Sequence, residues 1–223
     1  MDQVFQVFFN LAIIERVWPF LLAGLGMTAL LSLLVVPLGL LGGLAVAMAH
    51  SRGHRRLNWL LIAYVDFFRA FPPLVLLVLI YFGVPFLGID LPKFAAVGLA
   101  FFLNTSSYYG EIIRAGIESI PRGQMDAALS SGLRYRQAML WVILPQALRN
   151  VLPDLIGNTV EVIKLTTIAS VVALPELLNN ARLAQSLTYN PSPIVLAAGI
   201  YLVILWPLVR LLSRLEHKSM ALH

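Results

Sequence analysis

Cysteine is absent from the 223 residues, so the chain has neither a disulfide framework nor a thiolate metal site. Charge is scarce as well: Asp, Glu, Lys and Arg make up 12% of the chain, about half the roughly 25% of a soluble globular domain. No Gly-x4-Gly-Lys-Ser/Thr phosphate loop occurs, so the chain does not cradle ATP itself. No His-Glu-x2-His occurs either, and the four histidines lie outside the apolar blocks or at their edges, which argues against a membrane-embedded zinc protease. The first residues hold Asp2 and Glu15 with no early basic cluster, and are not expected to form a cleaved leader. What remains is 59% hydrophobic, in long blocks rather than a periodic pattern, with a mean hydropathy of +0.83. That combination reads as an all-α polytopic membrane protein forming a single domain over 1–223.

Residues 3–15 are too short and too polar to cross a bilayer, and the block 1–17 reads as an interfacial segment. Five blocks approach or exceed the ~20 residues that a spanning helix needs: about 20–49, 57–82, 94–113, 151–174 and 194–212. The second is interrupted by Pro72-Pro73. Arg52, Arg55, Arg56, Arg114, Arg122, Arg134, Arg136, Arg149, Arg210, Arg214 and Lys218 fall on one side of this arrangement, and only Arg16, Lys93 and Arg182 on the other. Basic residues collect in the cytoplasm, so the N-terminus is expected outside and the C-terminus inside. The net charge of +5 is read as this bias rather than as affinity for nucleic acid.

Between spans three and four the chain stops looking like membrane, over about 118–149. Pro121 and Gly123 break the preceding helix, and Asp126-Ala127-Ala128-Leu129 is expected to begin a short one, its acid in the first turn where the helix dipole favours it. Gly132 suits a C-cap, and a second amphipathic stretch runs from Tyr135 to Leu144, ending at Pro145. Two short helices about a glycine turn form either a knob for the groove of a soluble partner or a solvated connector.

The spacing of Asp126, Ala127, Ala128, Gly132, Leu144 and Pro145 resembles the EAA motif of ABC-importer permeases, with aspartate in place of the usual glutamate. The flanks, Tyr108–Gly123, Ile143–Pro153, Lys164–Thr167 and Arg69–Leu74, are similar to the polar amino-acid uptake subfamily, so the resemblance covers nearly the whole chain. Leu165 stands where that subfamily often has an acid, which bears on the substrate rather than the family. The resemblance implies an inner-membrane permease subunit, not an enzyme, in an importer of a polar amino acid or close relative. Its implied partners are two copies of an ABC ATPase that bind the ATP and magnesium, a second permease subunit, identical or different, and an extracytoplasmic binding protein. Asp126, Ala127, Ala128 and Gly132 would dock the ATPase. An ion-coupled secondary carrier is the other transport reading, and the absence of an internal repeat argues against it. A non-transporting membrane anchor or sensor is a third.

Ionisable residues inside spans are costly and functional by default. Here they are Asp66, Arg69, Glu161 and Lys164. Arg69 and Glu161 lie roughly 15–18 Å from the expected cytoplasmic ends of their helices, at about 1.5 Å per residue, near the middle of a ~30 Å core. Arg69 stands three residues before Pro72, at a break tolerated where backbone lines a cavity or is buried in protein. Its fork suits an α-carboxylate, and in the resembled permeases the matching arginine lines the substrate pocket. Glu161 suits the α-ammonium of the same zwitterion, with Asn158 and Lys164 as further pocket candidates. Simple pairing of Asp66 with Arg69, and of Glu161 with Lys164, is the alternative. The polar run Asn104-Thr105-Ser106-Ser107 and the Gly39–Gly43 spacing read as helix packing.

Overall fold

The structure is a computed structural model that describes residues 6–220. Among them the chain is helical throughout, with no strand. Helix α1 is Leu11–His50, α2 is Arg55–Ala70, and α3 is Pro73–Val78 continued by a π turn, Leu79–Gly83, and a 3-10 turn, Val84–Leu87. Then come α4 (Lys93–Glu118) and α5 (Arg122–Ser130). Helix α6, residues 135–150, is built of Tyr135–Ala138, a π turn over Met139–Ile143, and Leu144–Asn150. Helix α7 (Leu152–Leu165) runs into a 3-10 turn, Thr166–Val172, and α8 (Leu177–Thr188) and α9 (Ser192–Met220) complete the chain.

Among the described residues, three helical segments are long and apolar enough to cross a membrane: Gln6–His50, Leu152–Val172 and Ser192–Arg214. The broken pair Arg55–Ala70 and Pro73–Leu87 adds a fourth if it is one crossing. Helix α4 has 26 residues, about 39 Å at 1.5 Å per residue. Its polar run lowers its hydropathy, yet Asn104, Thr105, Ser106 and Ser107 are each at most 4% exposed, so that polarity is turned inward.

The chain forms two compact units. One comprises the chain up to Val36 with Pro73–Phe101 and Val160–Arg210; the other comprises Pro37–Pro72, Phe102–Thr159 and the chain from Leu211. In the first, Val17 and Leu21 of α1 pack with Leu177, Ala181 and Ala184 of α8 and with Ala197 of α9. Helix α1 starts at Leu11 because Asn10 caps it, its Oδ1 accepting the Ile13 N–H at 3.2 Å. Residues 11–17, read from sequence as part of an interfacial segment, are therefore continuous with the first long helix; residues 1–5 of that segment lie outside the described chain. The carboxylate of Glu176 caps α8, accepting Leu178 N–H at 2.8 Å and Asn179 N–H at 2.6 Å, and the Tyr201 hydroxyl donates to it at 3.2 Å. Burial pushes this carboxyl above its usual range, against those donors and Arg182.

In the second unit Ala47 of α1, Ile113 of α4 and Leu144 of α6 form the core. Helices α1 and α4 touch backbone to backbone at glycine: a Cβ on Gly43 would lie 2.6 Å from the Gly110 nitrogen. Close approach at small residues substitutes packing for the hydrophobic drive that lipid does not supply.

Helix α6 departs from the sequence expectation. It does not stop at Pro145 but runs to Asn150. Proline has no N–H for a helical bond, and the π turn at Met139–Ile143, immediately before it, absorbs the misfit.

Candidate functional site

The site grows from the broken helix. Phe71, the residue before Pro72, is forced into extended backbone, with φ −81° and ψ 127°, and ends α2. In a continuous helix the carbonyls of Phe68 and Arg69 would accept from the N–H groups of residues 72 and 73, but both are proline. Two acceptors are left over, and α4 answers both. The Asn104 amide donates to the Phe68 carbonyl at 3.1 Å, and the Tyr108 hydroxyl donates to the Arg69 carbonyl at 3.3 Å. Asn104 and Tyr108 are one helical turn apart, so a single face of α4 serves consecutive orphaned carbonyls.

Arg69 is thereby held by its backbone while its side chain stays loosely engaged. The guanidinium lies 5.5 Å from the centroid of the Tyr108 ring, within cation–π range. Its nearest acid is Glu111, at 3.7 Å from Nη1 to Oε1, beyond a hydrogen bond. Glu111 is already committed to Arg114, which donates from Nε at 2.9 Å and from Nη2 at 2.6 Å. Arg114 also reaches Glu118 at 2.5 Å, so an ion ladder climbs α4. The Arg69 fork donates no hydrogen bond among the described residues, its side chain is 39% exposed, and it is free to take a planar anion. It forms no ion pair with Asp66. Asp66 instead lines a cavity of about 180 Å³ with His50, Glu111 and Arg114.

The other candidates lie on α7. Glu161 and Lys164 form an ion pair one turn apart, with side chains 67% and 48% exposed. The side-chain amide nitrogen of Asn158 is buried beside the Tyr109 hydroxyl, which Thr159 also meets at 2.8 Å. Glu161 and Lys164 belong to the first unit and Arg69 to the second.

In the loop, Gly132 ends α5 in the left-handed region at φ 91°. The Leu133 N–H reaches the Ala128 carbonyl at 3.3 Å and the Gly132 N–H reaches Leu129 at 3.0 Å, which is the Schellman closure. Helix α5 starts earlier than expected, at Arg122 behind Pro121, so Asp126 sits mid-helix rather than in the first turn. The reason is Pro121: its fixed φ of −57° and ψ of 137° make it the N-cap residue. Asp126 and Ala127 are exposed, whereas Ala128 is 6% exposed and faces its own chain.

Sequence reasoning missed Asn104, Tyr108 and Glu111 as the supports of Arg69. The available signal was the pair of adjacent prolines, which orphans two known carbonyls, together with two polar side chains four apart on a helix expected nearby.

Residues 36–220 match the family model of the binding-protein-dependent transport system inner membrane component. A probable glutamine ABC transporter permease protein, GlnM of Bacillus subtilis, is 41% identical over 74% of this chain and 77% of that protein. The arginine transport system permease protein ArtQ of the same organism is 33% identical over 90% of this chain and 92% of that one. A crystal structure of an amino acid ABC transporter with histidines superposes with a TM-score of 0.82 at 36% identity, covering 92% of this chain and 96% of that chain. An inward-facing methionine ABC transporter, MetNI, shares the fold at a TM-score of 0.77 and 18% identity, over 92% of this chain and 98% of that one.

Proposed function

The chain belongs to the family of binding-protein-dependent transport system inner membrane components, and from that premise we propose that it carries a polar amino acid into the cytoplasm on ATP hydrolysed by a separate subunit. The observation that carries the substrate class is Arg69: a guanidinium held in place through its backbone, at a helix break, with its hydrogen-bonding fork unspent. A bidentate carboxylate completes such a fork. Asn158, in the same compact unit as Arg69, is a further contact candidate, and the named relatives carry arginine and glutamine in their descriptions.

Five crossings with the N-terminus outside fit the basic loops, α4 and the broken α2–α3 pair each counting as one. Two permease subunits would line the pathway, with two ATPases beneath and a soluble receptor outside, in the inner membrane. The exposed Asp126 and Ala127 on α5, with the turn at Gly132, would seat in the ATPase. ATP would then move the permeases between two packings that expose the pocket to either side. Uptake of labelled amino acids into proteoliposomes holding the purified complex tests the proposal. ATP-dependent accumulation of one polar amino acid is expected; uptake that follows an ion gradient without ATP refutes it.

A further inference from the structure

We infer that the recess between the end of α1 and the start of α6 binds an anionic phospholipid, an inference that rests on the inside orientation of the basic loops proposed above. The recess is a cavity of about 520 Å³ within the second unit. One part of its wall is basic, from Arg52, His54 and Arg136, and another is apolar, from Met48, Met139 and Leu140. The Tyr135 hydroxyl donates to the Ser51 carbonyl at 2.6 Å and ties the two walls together.

Three observations select the occupant. First, neither Arg52 nor Arg136 has a carboxylate within ion-pair distance among the described residues, so both charges await an external anion. Second, the lining is amphipathic: cations that hold a phosphate stand beside thioether and leucine side chains that take acyl chain. A free anion uses only the first half. Third, exposed aromatic side chains border the recess. It lies at the C-terminal end of the long apolar α1, and the helices around it expose Trp59 at 70% and Trp141 at 65%. Exposed tryptophans belong at the headgroup level of a bilayer, where clustered bases on the cytoplasmic side recognise acidic lipids. A soluble acidic partner would not need that aromatic border.

The test uses the complete complex. A photoreactive phosphatidylglycerol is expected to label the peptide spanning residues 135–140. Unlabelled phosphatidylglycerol should displace it, while phosphatidylcholine and inorganic phosphate should not. In Arg52→Gln/Arg136→Gln, apparent affinity should fall about 30-fold, from about 1 kcal/mol per basic residue near an anionic surface. Leu140→Trp fills the apolar end without touching charge and should also reduce labelling, which keeps the inference testable if the arginine variant does not assemble. Equal labelling by a zwitterionic probe, or labelling unchanged in both variants, overturns the inference. Displacement by inorganic phosphate overturns it in favour of a simple anion site. Loss of the ATPase subunit from the arginine variant with lipid labelling intact overturns it in favour of a protein contact. Reporter fusions in the 51–54 turn check the orientation separately, so a wrong orientation and a wrong ligand give different results.

Discussion

Replacing Asn104 with leucine removes one hydrogen bond and keeps a γ-branched side chain, while its larger volume and better helix propensity are shared by both backgrounds of a double-mutant cycle. The bond lost is the 3.1 Å contact to the Phe68 carbonyl, made by a side chain that is 4% exposed. Hydrogen bonds between helices in membranes average about 0.6 kcal/mol and reach about 1.7, because the separated helices find other partners. The Phe68 carbonyl has no such fallback within its helix, since residue 72 is proline. The loss therefore belongs near the top of that range, about 1.5 kcal/mol. In a Pro72→Ala background residue 72 regains an N–H, Phe68 regains a helical donor, and the cost of Asn104→Leu should fall to about 0.6 kcal/mol or less. The expected coupling is thus roughly 1 kcal/mol, large enough for a double-mutant cycle to resolve. The assay is the unfolding midpoint of the purified complex in one detergent for the four members of the cycle, with uptake measured in parallel because Arg69 is the next residue. An Asn104→Leu cost that is the same with and without Pro72 would refute the idea that α4 compensates the proline break.

Gly132→Ala forces a Cβ into the left-handed region, at a cost of about 1–2 kcal/mol, although the space itself is open. Substrate-stimulated ATP hydrolysis should fall while membrane insertion persists, with Gly132→Asn milder, as a hydrolysis assay on purified complexes would show. Arg69→Lys should abolish uptake without loss of assembly, because an ammonium does not reproduce the fork; normal uptake in the assembled Arg69→Lys complex would sink the carboxylate assignment. Glu176 sets a pH dependence: its folded pKa is raised, chiefly by burial, so its contribution to stability is complete below the unfolded value and is lost as pH rises through the folded one. Stability measured across that window should be flatter in Glu176→Gln than in the parent chain.

The helices and the glycine turn were legible because each depends on local chemistry. Apolar length marked α1 and α9, Pro72 marked the end of α2, and Gly132 marked a backbone that only glycine adopts cheaply. The misreadings share one cause. Pro145 reads as a stop because proline ends an α-helix, but a π turn upstream lets the chain continue. Asp126 suits the first turn of a helix for its dipole, but Pro121 sets the start at Arg122, four residues ahead of it. In both places one local preference was outweighed by another a few positions away. The support of Arg69 was harder still. Asn104 looks like generic helix glue until the carbonyl that it meets is known, and that carbonyl's need comes from Pro72, in the break after α2.

Helix α4 connects these elements. Its Asn104 and Tyr108 hold the end of α2 beside Arg69, and one turn further on its Glu111 approaches the guanidinium. The ladder through Arg114 to Glu118 follows, and at the helix end the Ser119 hydroxyl accepts from Asn150 of α6 at 3.0 Å. Helix α5, with the proposed docking turn, packs on the π turn of that same α6. All of these residues belong to a single compact unit. Packed interfaces and hydrogen bonds therefore run from α5 to Arg69 along α6 and α4, and any coupling between the two has this contiguous route to use. A sequence that places its proline break, its paired carbonyl donors and its glycine turn within one unit thus puts Arg69, the proposed carboxylate contact, and the proposed docking turn in the same packed body.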